Sequence, residues 1–326
     1  MMALVAGGTG FIGRHLVREL VSHGIRVRVL ARQNPPVVPL GREVEIVEGD
    51  ILEARSLVAA VKDADLVVSA FGLLGRWRVP ESEYGKVNRE GVENLLESCR
   101  SAGVRQFIHI SSAGVLGPLP KGVVADESFP CNPSNAYERS KCEAEEDIIA
   151  FGAKHGLPYT ILRPEFVYGP GDTHVLGLFR AIRNKRFVIL GDGTSLLHPT
   201  YIDDLIRGIR LCVNNPAAVG RIYLITGEKP LSVNELAATI ARELGTDVPG
   251  VKIPLPVARA AAFVLELIGK TLGSEPVLTR SRVRFFTQNR SFSFERARAE
   301  LGYAPQIGFR EGVRRTIGWY RDEGYL

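Results

Sequence analysis

The chain has 326 residues, of which 45% are hydrophobic, so it can bury a large core and is not an intrinsically disordered protein. Its formal net charge of +5 comes from arginines spread along the sequence rather than from one basic run, which argues against a nucleic acid partner. No basic leader precedes the first apolar stretch, so we expect no secretion signal. The cysteines form no C-x-x-C pair, which predicts free thiols, no metal site and a cytoplasmic protein; they are Cys99, Cys131, Cys142 and Cys212.

A glycine-rich turn follows the first apolar run. The stretch ALVAGGTGFIGRHL (3–16) places Gly7, Gly10 and Gly13 between a predicted strand and a helix with apolar residues at helical spacing. Glycine lets the chain turn tightly and approach an anion, and the free N–H groups at the helix start then face a phosphate. The motif indicates a dinucleotide site; the alternative is a glycine-rich turn without a ligand.

Strand-like and helix-like segments alternate through the first half of the chain. The apolar, β-branched runs are RVRVLA, EVEIVEG, DLVVSAFG, QFIHISS and YTILRPE. This alternation predicts an α/β fold with a Rossmann-type doubly wound parallel sheet. After about Phe166 the pattern loosens. We therefore expect a dinucleotide-binding domain at 1–165, with a return at about 196–226, and a smaller, mostly helical substrate domain at 166–195 and 227–326.

The end of the second strand bears on the choice of cofactor. Sites that prefer NAD carry an acidic residue there for the adenosine ribose, whereas this chain has Ala31 followed by Arg32. A guanidinium at this place can pair with a 2′-phosphate. The sequence therefore predicts a preference for NADP(H), with NAD(H) as the alternative.

Two motifs indicate acid/base chemistry. ISSAG follows the fifth strand-like run, so Ser111 or Ser112 should face the cleft at the carboxyl end of the sheet. YERSK places Tyr137 and Lys141 four residues apart, on one face of a helix. A nearby ammonium and an oxidised nicotinamide both favour the phenolate, so we expect a lowered pKa for Tyr137. The alternative is a half-buried tyrosine and a solvated lysine with no catalytic role.

Several motifs in this order resemble the extended short-chain dehydrogenases/reductases. That family includes sugar-nucleotide epimerases and dehydratases, dihydroflavonol reductases and 3β-hydroxysteroid dehydrogenases. The resemblance covers nearly the whole chain, and it rests on GGTGFIG from Gly7, GDI from Gly49, VNREGVENLL from Val87, ISSAGVLG from Ile110, YERSK from Tyr137, LRPEFVYGP from Leu162 and TYIDDL from Thr200.

The resemblance implies a role for each matching residue. Tyr137 would be the acid/base, Ser112 would hydrogen-bond the reacting oxygen, and Lys141 would hold the nicotinamide ribose and lower the pKa of the tyrosine. Asp50 and Ile51 would meet the adenine. The cofactor-binding residues implied in this way are Gly7, Thr9, Gly10, Phe11, Ile12, Gly13, Arg32, Asp50, Ile51, Ala70, Phe71, Tyr137, Lys141, Pro164 and Val167.

The chain also departs from the sugar-nucleotide branch. Many of those enzymes carry an arginine and an aromatic residue just before the segment that reads SLLHPTYIDD here, which argues against a nucleotide-diphosphate substrate. The SSAG run, Arg32 and the C-terminal pattern are more similar to the dihydroflavonol reductase and 3β-hydroxysteroid dehydrogenase branches. Glu165 is unusual at its position, and if buried it needs a partner such as Arg163. His198 is expected to be structural, with substrate contact as the alternative.

Two apolar segments could contact an apolar substrate or a partner. The loop GLLGRWRVPESEY after the fourth strand offers Leu73, Leu74 and Trp77 as a substrate wall, or else packs on its own domain. The helix VARAAAFVLELIGKTL (257–272) is too short to span a membrane. We expect it in the core of the smaller domain; the alternatives are a homodimer contact and a membrane surface beside the cleft.

Together these motifs predict an NADP(H)-dependent oxidoreductase that moves hydride between nicotinamide and a secondary alcohol or ketone of a steroid-, flavonoid- or lipid-like substrate. One alternative is a sugar-nucleotide epimerase or dehydratase that recycles a bound NAD(P). Another, from a different class, is a non-catalytic dinucleotide sensor or assembly protein on the same fold.

Overall fold

The computed structural model describes residues 1–33, 41, 43–75 and 77–326. The strands, in chain order, are β1 (Met2–Ala6), β2 (Arg26–Ala31), β3 (Glu45–Glu48), β4 (Leu66–Ser69), β5 (Gln106–Ile110), β6 (Tyr159–Pro164), β7 (Val167–Tyr168), β8 (Ile189–Leu190), β9 (Leu196–Leu197), β10 (Thr200–Tyr201), β11 (Arg221–Ile225), β12 (Leu231–Ser232) and β13 (Lys252–Ile253). The helices are α1 (Phe11–Ser22), α2 (Ala54–Val61), α3 (Glu81–Gly85), α4 (Gly91–Ala102), α5 (Ala136–His155), α6 (Leu176–Arg183), α7 (Ile202–Cys212), α8 (Val233–Leu244), α9 (Leu255–Leu272), α10 (Arg280–Thr287), α11 (Glu295–Leu301) and α12 (Phe309–Asp322).

The large sheet has seven parallel strands in the order β11-β6-β5-β4-β1-β2-β3. This arrangement confirms the predicted Rossmann-type fold. The strand order reverses between β1 and β4, and open α/β sheets bind their ligands at such a point, beyond the carboxyl ends of the strands. In the register of these strands, Val5 of β1 lies between Val29 of β2 and Val68 of β4.

The sheet is buried on both faces, which explains its nearly continuous apolar strands. Alternate residues of β1 enter two different cores, with Ala3 and Val5 on one side and Leu4 and Ala6 on the other. The first core is covered by α1, α7, α8, α11 and α12, and the second by α2, α4 and α5. Because both faces of the sheet are covered, the carboxyl ends of the strands are where a ligand site can form.

The C-terminal part packs in short sheets and helices, and one prediction there is wrong. Helix α9 does not lie in a core, because Phe263, Val264, Leu267 and Ile268 are 45–58% exposed. The buried side of α9 consists of Ala258, Ala262, Glu266 and Gly269. Small residues let the helix approach its neighbours closely; a Cβ at Gly269 would lie 2.8 Å from Pro276. The large apolar side chains are left on the outside.

Three general features complete the fold. The cysteines are free thiols, and Cys131 is exposed while the other three are buried. Across the described ranges, no three His, Cys, Asp or Glu side chains are grouped so that they could hold a metal ion. In the same part of the chain, no helix is both long enough and apolar enough to cross a membrane.

Candidate active site

The glycine turn connects the end of β1 to the start of α1. Gly7 has φ +91°, and a Cβ there would lie 2.6 Å from the backbone nitrogen of Phe71. A Cβ at Gly13 would overlap the carbonyl oxygen of Gly7, so α1 can start against the turn only with glycine at this position. Gly10 caps α1 without a side-chain hydrogen bond. Backbone N–H groups at the helix start are therefore left for an anion.

Residues after β3 and β4 lie beside this turn. The close approach of Gly7 to Ala70 and Phe71 brings the ends of β1 and β4 together at the point where the strand order reverses. A Cβ at Gly91 would lie 2.9 Å from Ile51 and 3.3 Å from the Phe71 ring, so these side chains form one apolar patch. Asp50 precedes it and accepts the Leu52 N–H at 2.9 Å. The structure thus brings together the residues predicted to meet the adenine and to line the cofactor.

Arg32 lies just past the carboxyl end of β2, the strand next to β1. Its side chain is exposed, and within the described residues it makes no hydrogen bond or ion pair. Ala31, directly before it, is buried. The guanidinium is exposed to solvent at this edge of the sheet.

Tyr137 and Ser112 meet at the carboxyl end of β5. Tyr137 lies in the first turn of α5, whose N-cap residue Asn135 accepts the Glu138 N–H at 3.0 Å. Burial raises the pKa of Tyr137 to about 12, against a lowering contribution from its hydrogen bond with Ser112. The predicted lowering of this pKa is thus wrong for the chain's own residues, since desolvation outweighs the charges nearby. At neutral pH the phenol keeps its proton.

Lys141 lies one turn after Tyr137 and is buried. Its Nζ donates to the carbonyl oxygen of Ile110 at 2.9 Å and to that of Phe71 at 3.3 Å, which places the ammonium between the ends of β4 and β5. Burial lowers the pKa of Lys141 to about 8. Ser111, beside Ile110, has a buried hydroxyl without a hydrogen-bond partner in the described part of the chain. The solvated lysine of the alternative interpretation is not what the structure shows.

A buried cluster of charges lies next to Tyr137. Glu165, directly after β6, lies 3.6 Å from Arg290 Nη1, and Arg290 Nη2 donates to Glu138 at 2.8 Å. The proposed pairing of Glu165 with Arg163 is wrong. Arg163 instead binds Glu145 of α5 through three hydrogen bonds of 2.6–3.1 Å. Burial raises the pKa of Glu165, and the charge of Arg290 opposes that rise.

The end of β6 carries a strained residue. Phe166 has φ +38°, a left-handed conformation that an L side chain adopts only under constraint. It lies between Pro164 and Glu165 on one side and Val167 of β7 on the other, and its ring contacts Phe285 of α10 edge-on. Pro164 and Val167, predicted to lie by the nicotinamide, therefore flank a sharp change of chain direction.

The loop after β4 is held by one buried amide. Asn88 accepts the Leu73 N–H at 2.7 Å, donates to the Leu73 carbonyl at 3.1 Å and donates to Ser140 of α5 at 2.9 Å. Leu74 is 39% exposed and Trp77 is half-buried. Arg76, in the same loop, lies outside the described residues. The wall of Leu73, Leu74 and Trp77 stays a prediction.

His198 is a structural residue, as expected. Its Nε2 is hydrogen-bonded to the Gly227 carbonyl at 3.0 Å, and its Nδ1 accepts the Phe292 N–H at 3.3 Å. Burial lowers the pKa of His198 to about 4, so the ring is neutral at physiological pH. Two open surface hollows, by Glu243 and Arg310, contain none of the predicted site residues.

Sequence reasoning missed Arg290, Glu138 and Asn88. Glu138 directly follows Tyr137, and a carboxylate buried there needs a cation, so a signal was present. The sequence holds 41 lysines and arginines, however, and nothing local to Glu138 selects Arg290 among them. Asn88 lies within the VNREGVENLL motif, but its partners Leu73 and Ser140 are distant in the sequence.

The arrangement fits a nicotinamide dinucleotide. A turn that a Cβ would fill and the uncapped start of α1 lie along one edge of the sheet, together with Arg32 and the Ser111 hydroxyl, which have no hydrogen-bond partner among the described residues. The Ser112–Tyr137 pair and the Lys141 ammonium lie at the same edge. Such a site can bind an anionic cofactor and move a proton beside it.

Comparisons with known proteins agree with this geometry. The model of the NAD dependent epimerase/dehydratase family matches residues 3–226. A 3beta-hydroxysteroid-dehydrogenase/decarboxylase of Arabidopsis thaliana is 31% identical over 96% of this chain and 78% of its own length. A 2-alkyl-3-oxoalkanoate reductase of Stenotrophomonas maltophilia is 28% identical over 97% of this chain and 98% of its own.

The solved structures give the same assignment. The dTDP-glucose 4,6-dehydratase DesIV of Streptomyces venezuelae, with NAD and TYD bound, superposes with a TM-score of 0.81 and 27% identity, and the match covers 100% of this chain and 99% of that one. The chain therefore belongs to the NAD-dependent epimerase/dehydratase family, the extended type of short-chain dehydrogenase/reductase that its motifs resemble.

Proposed function

We propose that this protein is an NADP(H)-dependent oxidoreductase that transfers hydride between nicotinamide and a secondary alcohol or ketone of an apolar substrate, of a steroid-, flavonoid- or lipid-like kind. The contact of Tyr137 with Ser112, beside the buried Lys141, carries the proposal. The names of two relatives support the substrate class, since one is a hydroxysteroid dehydrogenase and the other an oxoalkanoate reductase.

Tyr137 is the residue that donates the proton during ketone reduction. Because its pKa is raised to about 12, the phenol is protonated at neutral pH and can give its proton to the oxygen of a ketone. Ser112, which is hydrogen-bonded to the Tyr137 hydroxyl, holds the ketone oxygen in place. The nicotinamide, when bound, supplies or accepts the hydride. In this assignment the chain's residues position the substrate and move the proton, and both act on the same oxygen atom.

Lys141 holds the cofactor rather than the substrate. An ammonium has three N–H donors, and two of them are used on the carbonyls of Ile110 and Phe71. The third is left for a hydroxyl of the nicotinamide ribose. Burial lowers the pKa of the neighbouring His109, and the positive charge of Lys141 adds to that lowering, so the imidazole beside the ammonium stays neutral.

The remaining cofactor contacts follow the sheet edge. The turn of Gly7, Gly10 and Gly13 takes the pyrophosphate, Asp50 and Ile51 meet the adenine, and Arg32 binds a 2′-phosphate. The residues assigned to the rest of the cofactor are Thr9, Phe11, Ile12, Ala70, Phe71, Pro164 and Val167. We assign 1–165 and 196–226 to the dinucleotide-binding domain, and 166–195 and 227–326 to the substrate domain.

Reduction of ketones by the purified protein tests this function. The assay follows the loss of NADPH absorbance with a 3-ketosteroid, a flavonoid ketone and a 3-oxoalkanoate. Tyr137→Phe should lower turnover about a hundredfold or more and leave NADPH affinity nearly unchanged, because the ring still packs in place. Tyr159→Phe is the matched control. Undiminished turnover in Tyr137→Phe, on any substrate found, would remove the proposed mechanism.

A second candidate is an epimerase or dehydratase that keeps its NAD(P) and recycles the hydride. The likeness to the dTDP-glucose 4,6-dehydratase DesIV favours it. The absorbance of the purified protein separates the two, since an enzyme that recycles its hydride copurifies with nucleotide and a dissociating reductase does not. Bound NAD together with conversion of a dTDP- or UDP-sugar would establish this second function.

A further inference from the structure

The solvent side of helix α9 is apolar. Val257, Val264 and Ile268 follow one another along one stripe, and Phe263 and Leu267 lie beside it. The side chains of this α9 face are 45–73% exposed, and they are Val257, Phe263, Val264, Leu267, Ile268 and Leu272. Helices of globular proteins normally bury their large apolar residues, whereas α9 buries small residues and exposes its large apolar side chains. An exposed apolar patch of this kind marks a surface that binds a protein, a membrane or a ligand.

The chain around the α9 face is basic. Residues 255–284 contain five arginines and lysines and two glutamates, a net charge of +3. Glu266 is buried and bound to Arg280, and Glu275 is paired with Arg282. The other three basic side chains have no carboxylate partner in the described part of the chain; they are Arg259, Lys270 and Arg284. The partner of this surface is therefore both apolar and anionic.

Two contacts connect this surface to the candidate active site. Arg78, in the loop after β4, donates to the carbonyl oxygen of Lys270 at the end of α9. Arg284 of α10, which packs on α9, lies 3.5 Å from the carbonyl oxygen of Ser134, just before the helix that carries Tyr137. Asn88 holds Leu73 of this loop and also donates to Ser140, the neighbour of Lys141. The loop therefore contacts the end of α9 through Arg78 and the catalytic helix through Asn88.

We infer that the α9 face docks on an anionic lipid bilayer, so that an apolar substrate enters the cleft from the membrane. The apolar substrate in this inference rests on the proposed function, whereas the docking does not. A second copy of the chain is the less suitable occupant, because a two-fold contact would bring two basic segments of +3 together. A bilayer surface of anionic lipid matches both properties, with acyl chains for the apolar side chains and headgroups for the basic ones.

Sedimentation with lipid vesicles tests the docking. The full chain should pellet at low salt with vesicles that contain phosphatidylglycerol, and far less with pure phosphatidylcholine or at high salt. Phe263→Ser with Ile268→Ser should weaken binding about tenfold or more. The matched control is Val58→Ser with Val124→Ser, which removes two apolar side chains that are 66% and 61% exposed elsewhere. Lys270→Glu should weaken binding and Lys154→Glu should not.

Three results would overturn the docking. The first is wild-type protein that stays in the supernatant with anionic vesicles at low salt. The second is equal loss of binding in the control pair. The third is a change in the molar mass of the lipid-free protein on Phe263→Ser with Ile268→Ser, which would assign the α9 face to a second copy.

Turnover separates this inference from the proposed function. The Phe263→Ser, Ile268→Ser protein should lose about tenfold in rate on a ketone held in vesicles and keep its rate on a water-soluble ketone. Equal rates of both proteins on the vesicle-held ketone would overturn entry from the membrane. Vesicle binding with no ketone reduced by the wild type would overturn the proposed function and leave the docking in place.

Discussion

Arg290 lies between two buried carboxylates beside Tyr137, with Nη2 2.8 Å from Glu138 and Nη1 3.6 Å from Glu165. Arg290 follows α10, Glu138 belongs to α5 and Glu165 directly follows β6, so the arginine joins the C-terminal part of the protein to the catalytic edge of the sheet. All three residues are less than 10% exposed. Burial raises the pKa of Glu165, Arg290 opposes that rise, and the charge of Glu138 adds to it.

Removal of Arg290 should destabilise the protein strongly. Arg290→Met leaves two carboxylates buried without their cation, and breaking a buried pair in this way costs about 3–5 kcal/mol. Urea unfolding at neutral pH measures the change. Arg259→Met, on the exposed side of α9, is the control and should change the free energy of unfolding by no more than about 0.5 kcal/mol. Equal stability of the two variants would show that the cluster is not a structural link.

Activity should fall as pH rises through about 8. Burial lowers the pKa of Lys141 to about 8, so its ammonium is charged below that pH and becomes neutral above it. The charge and one donor for the cofactor are then lost, and kcat/KM for NADPH should decrease. Lys141→Arg keeps the charge and should move the decrease to higher pH, whereas Arg32→Ala should leave it in place. A flat profile to pH 10 in the wild type would contradict this role.

The titration of Lys141 should also make the stability of the protein depend on pH. The pKa of Lys141 is lower in the folded chain than its ordinary value of 10.5, so between about pH 8 and 10.5 the unfolded chain binds the additional proton. The contribution of this lysine to the free energy of unfolding therefore rises with pH across that window. Lys141→Met should flatten the rise, which urea unfolding at pH 8 and pH 10 can detect.

Arg32 should determine the cofactor. A charge-assisted contact with a 2′-phosphate is worth about 1.5–3 kcal/mol, so Arg32→Ala should weaken NADPH binding about tenfold to over a hundredfold and leave NADH binding unchanged. Arg26→Ala, at the amino end of the same strand, is the matched control. Fluorescence titration of the wild type and both variants with NADPH and NADH measures the dissociation constants. Tighter binding of NADH by the wild type would overturn the assignment of NADP(H).

The glycine turn should tolerate no methyl group at Gly13. Gly13→Ala places a Cβ against the carbonyl oxygen of Gly7 and 2.7 Å from Gly8 Cα, so the turn has to shift. We expect nucleotide affinity to fall about tenfold or more, because the backbone N–H groups leave their positions. Gly177→Ala, in α6 with no atom near the added methyl group, should bind as the wild type does. Unchanged affinity in Gly13→Ala would remove the turn from the site.

Local patterns along the sequence determined the fold and the outline of the site. Apolar, β-branched runs that alternate with helical segments predicted the strands of the parallel sheet, and the spacing of Tyr137 and Lys141 predicted one helical face. The glycine spacing predicted the turn. These predictions succeed because they depend on periodicity and backbone conformation, which neighbours in the sequence set.

Only the tertiary structure decided the contacts between distant segments and the charges within them. It paired Glu165 with Arg290 instead of Arg163, because Arg163 points to Glu145. It raised the pKa of Tyr137 instead of lowering it, because desolvation depends on the whole surroundings of a group. It also turned the apolar side of α9 outward. The sequence shows that those side chains are apolar, but which side of a helix is buried depends on the surface against which it packs.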